Sequence, residues 1–76
     1  MERSEVLEQV KQILAKVAAR QDLEGKSLAD LGFDSLKHVQ LLIELETCFK
    51  INLGNDALAH EDTVETIVNR VMQLLD

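Results

Sequence analysis

The sequence predicts an all-α fold: a small bundle of three main helices plus one short helix, with a long ordered loop between the first two main helices. Three observations predict it. Apolar residues recur at helical spacing in a segment near each end of the chain. A third segment, Ser35 to Phe49, also reads as a helix, with an apolar content wider than one face. Nothing in the chain reads as a strand-rich domain. The 76 residues suffice for one domain, taken as residues 1–76. A chain this short buries only about 60% of the surface its unfolded form exposes. A core and a deep enclosed active site do not both fit, which counts against a self-contained enzyme.

In the first helix Val6, Leu7, Val10, Ile13, Leu14 and Val17 form one stripe. Ser4 is the expected N-cap. Glu5 and Glu8 suit the positive end of the helix dipole, and Lys16 and Arg20 the negative end. The following connection, Gln21 to Asp34, is long for a helix–helix link. It holds Gly25 and Gly32, with Leu28, Leu31 and Phe33 as tethers to the bundle and Ser27 as the cap of a single turn. In the middle helix Val39, Leu42, Leu45 and Phe49 are expected on the core side. Gln40, Glu44 and Thr47 lie opposite, beside Lys37 and Cys48, and Leu36 and Ile43 fall on the border. The second connection, Lys50 to Glu61, carries Ile51 and Leu53 and is expected to hold the short helix around Asn55 to Ala59. The last helix shows a stripe of Val64, Ile67, Val68, Val71, Leu74 and Leu75, with Asp62 and Glu65 spaced as a capping box.

Eight basic and fourteen acidic residues give a net charge of −6. Such a surface gains nothing from phosphate backbones or acidic lipids, so neither nucleic acid nor membrane is an expected partner. It favours partners with basic docking patches. Cys48 is the one cysteine, which excludes a disulfide within the chain and any multi-cysteine metal site. The N-terminal segment has no apolar h-region, and no apolar run approaches the ~20 residues of a membrane span. The expected location is cytoplasmic and the expected state monomeric.

The informative stretch is Leu31-Gly32-Phe33-Asp34-Ser35-Leu36. Gly32 permits a tight or left-handed backbone just before a helix. Asp34 and Ser35 occupy the helix start, where a hydroxyl is exposed and lies near unpaired backbone N–H groups. A phosphodiester on that oxygen would sit at the positive end of the dipole, worth only ~0.3–1 kcal/mol. Taken alone, Ser35 is better explained as an ordinary helix cap worth ~1 kcal/mol.

The surrounding pattern adds more. Leu28, Leu31-Gly32, Asp34-Ser35-Leu36, Val39, Leu42, Leu45, Glu46, Phe49 and Ile51 together resemble the phosphopantetheine attachment region of acyl and peptidyl carrier proteins. The likeness extends over nearly the whole chain, through Thr63-Val64 at the start of the last helix. It implies that Ser35 receives 4′-phosphopantetheine from coenzyme A through a phosphopantetheinyl transferase, with Asp34 and Leu36 beside it. The arm's thiol, not a protein side chain, would then carry an acyl or aminoacyl group as a thioester. The chain would be a stand-alone carrier and no enzyme, and it would visit a loading enzyme and downstream acyltransferase, synthase or condensation enzymes. The resemblance also implies a docking surface on the second helix, here Asp34, Leu36, Lys37, Gln40, Ile43, Glu44 and Thr47, with His38 beside the arm. Housekeeping fatty-acid carriers usually place acids where this chain has Lys37 and Gln40. That departure points to a dedicated polyketide or nonribosomal-peptide-type pathway, with fatty-acid and aminoacyl carriage, including that of D-alanine, as alternatives.

Three rival readings use the same residues. Ser35 and His38 are close enough on a helix for a hydrolytic pair, but the third group, the oxyanion hole and the Gly-x-Ser-x-Gly elbow are missing. His38, His60 and Cys48 match no metal-ligand spacing, so no metal site is expected. A helical interaction module without a prosthetic group accounts for the core and the charge, but not for Asp-Ser-Leu after a long Leu-Gly loop.

Overall fold

The computed structural model describes residues 2–54 and 57–75. Three helices carry the fold: α1 (Arg3–Ala18), α2 (Ser35–Phe49) and α3 (Val64–Leu75). α1 packs against both α2 and α3. The stripe read from the sequence explains this: Val6, Val10, Ile13, Leu14 and Val17 are buried, and Leu7 is half-buried against the same core.

The core is aliphatic with two phenylalanines at its edge. Leu14, Leu28, Leu41, Leu45 and Ile67 are the largest fully buried side chains, and no polar side chain is buried among the described residues. Val39 was expected inside and is half exposed, while Leu41 is fully buried. The buried α2 residues Leu41, Leu42, Leu45 and Phe49 centre on a direction that lies about 100° from Val39 at 100° per residue, but about 55° from Leu41. In α3, Leu74 was expected in the stripe but lies exposed in the last turn.

The helix ends differ in detail from their sequence signals. α1 begins before Ser4: Glu2 is the N-cap, its carbonyl accepts the Glu5 and Val6 N–H groups, and Ser4 lies exposed inside the first turn. α1 ends in a Schellman motif, with Ala19 at φ 58° and the Arg20 N–H reaching the Ala15 carbonyl. Arg20 therefore sits past the helix, where it pairs with Asp22 at 3.4 Å. α3 is capped one residue later than the expected Asp62–Glu65 box. Thr63 N–H donates to Thr66 Oγ1 at 2.8 Å, and Thr66 N–H returns to Thr63 Oγ1 at 3.4 Å. Asp62 instead accepts the Ala59 N–H at 2.6 Å, and Glu65 pairs with Arg3 at 3.2 Å. A threonine hydroxyl at Thr66 does the work usually given to Glu or Gln, which the sequence pattern did not flag.

The first connection is ordered because it has anchors along its length. Leu23, Leu28, Leu31 and Phe33 are all buried. Ser27 and Asp30 cap a single turn reciprocally: Ser27 N–H donates to Asp30 Oδ2 at 3.0 Å, and Asp30 N–H to Ser27 Oγ at 3.2 Å. These bonds, the backbone one first, hold the exposed Asp30 carboxyl below its ordinary pKa, with Lys26 adding to them. Leu28 and Ala29 N–H groups donate to the carbonyls of Asp62 and His60, both at 2.9 Å, beside an antiparallel bridge between Ser27 and Thr63. The connection is thereby stitched to the segment that enters α3. The expected short helix begins on Asn55 and Asp56, which lie outside the described residues; Ala57–Ala59 is not helical. Leu58 there is buried. No described helix is long and apolar enough to cross a membrane.

The single turn ends at Gly32, whose φ is +79°. Phe33 N–H reaches back to the Leu28 carbonyl at 3.1 Å, closing a second Schellman-type end. A Cβ on Gly32 would meet nothing within 4 Å. The demand for glycine is therefore conformational alone. Gly32→Ala is expected to lower unfolding free energy by about 1–2 kcal/mol, the cost of a left-handed non-glycine residue. Leu41→Ala, which leaves a cavity in the core, is expected to cost about 2–5 kcal/mol. Urea midpoints at unchanged slope check both.

Candidate functional site

The start of α2 is set by three consecutive constraints. Gly32 turns the chain, Phe33 is buried and fixes the entry, and Asp34 is extended at φ −101°, ψ −173°. Asp34 is the N-cap. Its Oδ1 accepts the Lys37 N–H at 2.9 Å, and its carbonyl accepts the His38 N–H at 2.9 Å. Ser35 is then the first helical residue and exposed.

This division of roles decides what Ser35 is free to do. Read alone, Ser35 is an ordinary cap; in the structure Asp34 holds that role. Among the described residues nothing hydrogen-bonds to Ser35 Oγ, and the Ser35 and Leu36 N–H groups have no acceptor. The chain has two other serines. Ser27 is half-buried and its hydroxyl holds the Asp30 N–H, while Ser4 lies within the first turn of α1. Ser35 is thus an exposed hydroxyl on a rigid element, next to two unpaired helix N–H donors that suit an anionic ester.

The residues around it separate into three sets. Leu36, Val39 and Ile43 are 75%, 50% and 57% exposed. Gln40 and Thr47 are exposed on the same side, and Lys37 is half-buried. Glu44, expected on the docking side, is half-buried and its carboxylate meets Lys16 Nζ of α1 at 2.7 Å. His38 was expected on the surface beside the arm. It lies instead on the core side of α2, half-buried, with Nδ1 occluded and without a hydrogen-bond partner among the described residues. Its ring stands 5.9 Å from that of His60, brought there by the second connection. No sequence spacing signals this pair, because the stitching of Ala29 to His60 creates it.

The residues of the rival readings stay apart. No described group of three or more His, Cys, Asp and Glu side chains is arranged to hold a metal ion. Cys48 is exposed, and its thiol donates to Gln9 Oε1 of α1 at 2.7 Å. Partial burial first, and the Glu44 charge second, push its pKa up.

Comparison with known proteins places the chain. The family model for the phosphopantetheine attachment site matches residues 8–71. An acyl carrier protein of Amoebophilus asiaticus is 42% identical over 55 residues, which are 72% of this chain and 69% of that protein. An acyl carrier protein of Onion yellows phytoplasma is 34% identical over 67 residues, 83% of this chain and 88% of that protein. The non-reducing polyketide synthase epaA of Aspergillus niger is 36% identical over 69 residues, 87% of this chain but 3% of that synthase. No solved structure matches. The chain belongs to the phosphopantetheine-binding carrier family, the acyl and peptidyl carrier proteins. The matched domain is one to which 4′-phosphopantetheine is attached. The exposed hydroxyl and free N–H donors at the start of α2 fit that group.

Two measurements follow from this geometry. Asp34→Ala is expected to destabilise the fold by about 0.5–2 kcal/mol through loss of the cap. Ser35→Ala is expected to change it by less than about 0.5 kcal/mol, as an exposed residue with no bonded side chain does. Equal losses would mean the cap is shared. For Cys48, a raised pKa leaves less thiolate at a given pH, so its iodoacetamide alkylation at pH 8 is expected to be slower than that of free cysteine.

Proposed function

We propose that this chain is a carrier that holds an acyl or aminoacyl group as a thioester on a 4′-phosphopantetheine arm at Ser35. The observation that supports it best is the free Ser35 hydroxyl, released from capping by Asp34, inside the Leu31–Leu36 motif of the matched region. When bound, the group supplies a terminal thiol and therefore an activated acyl ester. The chain's own residues do the rest. Asp34 and the buried Phe33 hold the helix start rigid, and the N–H groups of Ser35 and Leu36 face the ester's negative charge. Tethering keeps the cargo at high effective concentration at each enzyme that docks. On this reading the protein is a tethered cosubstrate, not a catalyst, and works in the cytoplasm as a monomer.

The partners are a phosphopantetheinyl transferase, a loading enzyme and a downstream acyltransferase, synthase or condensation enzyme. They meet Ser35 and the exposed side of α2, namely Leu36, Lys37, Gln40, Ile43 and Thr47. The pathway is a dedicated one of polyketide or nonribosomal-peptide type. Lys37 and Gln40 support it, as does the likeness to a polyketide synthase beside the carriers. Aminoacyl carriage uses the same arm and the same serine; mass analysis of the cargo distinguishes the two.

The test is incubation with coenzyme A and a broad-specificity transferase, read by intact mass. One phosphopantetheinyl group is expected on the wild-type chain and none on Ser35→Ala. No addition to the wild type, or equal addition to the variant, sinks the assignment and favours an interaction module without an arm.

A further inference from the structure

We infer that the His38–His60 pair is an acid-sensitive contact: neutral, it holds the segment entering α3 against α2; protonated, it releases that segment. His38 lies in the first turns of α2, and His60 in the second connection. Their ring centroids stand 5.9 Å apart at a tilt of 40°. The backbone carbonyl of His60 also accepts the Ala29 N–H at 2.9 Å, and that of Asp62 the Leu28 N–H at 2.9 Å. The segment 60–62 is therefore gripped by two elements: α2 through the ring pair, and the first connection through its backbone. Release from α2 frees it to pull away from Ala29 as well. The pair thus bears on the loop that leads into α2, whether or not Ser35 carries an arm.

The occluded nitrogen decides the sign. His38 Nδ1 is enclosed without a hydrogen-bond partner among the described residues. A neutral imidazole leaves one nitrogen bare, so Nδ1 can keep its lone pair there. An imidazolium carries a proton on both nitrogens, and the Nδ1 proton would be an enclosed donor with no acceptor. When His60 is protonated too, like charges face each other across the same gap. The carboxylates of Asp34, Glu61 and Asp62 remain charged and favour protonation. They adjoin the histidines on the same helix or segment, so they do so equally with the contact closed or open. Lys37, next to His38, opposes it. From the other elements, Lys16 of α1 is paired with Glu44, Glu65 of α3 with Arg3, and Asp30 of the first connection is exposed and screened by water. The contact is therefore kept at neutral and higher pH and lost as acid protonates the rings.

The experiment is amide hydrogen exchange by NMR on the full chain at about pH 7.5 and about pH 5.5, the interval over which histidine ordinarily changes charge. Rates are corrected for the intrinsic effect of pH. The Ala29 N–H reports its bond to His60, and the Leu14 N–H in the buried stripe of α1 reports the whole fold. Acid is expected to lower Ala29 protection relative to Leu14 by about 3-fold or more. His38→Gln, which cannot be protonated, is expected to show less than about half that loss. His60→Gln, at an exposed position, is expected to show a smaller loss than wild type, and decides the matter if His38→Gln does not fold. A wild-type loss below about 3-fold, or an undiminished loss in either variant, overturns the proposal.

Discussion

The bond from the Lys37 N–H to the Asp34 carboxylate is the constraint on which the site depends. A helix start needs a side-chain acceptor, and where two capping residues stand in sequence only one can occupy the N-cap. Asp34 occupies it. Ser35 is moved by one position into the first turn, where its hydroxyl has no structural duty. The chemistry proposed for Ser35 follows from the role it does not have to play.

That cap holds its position because the chain before it is anchored. Phe33 is buried, Gly32 supplies the left-handed turn, and the single turn capped by Ser27 and Asp30 is stitched to Asp62 and His60. The long connection is therefore part of the framework of the site. It ties the start of α2 to the segment that opens α3, so the exposed serine stands on an anchored platform, and on the proposed reading the cargo would depend for its movement on the arm. A small domain with an aliphatic core can provide such a platform without an enclosed pocket.

Much of this was legible in the sequence, for physical reasons that differ by residue. The bounds of α2 and the burial of Leu28, Leu31 and Phe33 follow from local signals: cap chemistry, a glycine turn and isolated apolar anchors in a polar loop. The family resemblance rests on those same positions and agrees with the family match over residues 8–71. What the sequence misplaced depends on how elements meet. Val39 was expected in the core and lies half exposed, because the rotation of α2 is set by packing against α1, which helical periodicity alone does not specify. Glu44 reads as a docking acid until Lys16 of α1 reaches it, and His38 reads as a surface residue until the second connection brings His60 beside it. The shift of the α3 cap from Asp62 and Glu65 to Thr63 and Thr66 is a local exchange between neighbouring acceptors.

The central claim, that the cargo is carried on Ser35, is tested most directly by tandem mass spectrometry of the protein isolated from its own cells. The expected result is a phosphopantetheinyl group, with or without an acyl or aminoacyl load, on the peptide containing Ser35 and on no other serine. A persistently unmodified Ser35, or an arm on Ser4 or Ser27, would contradict it.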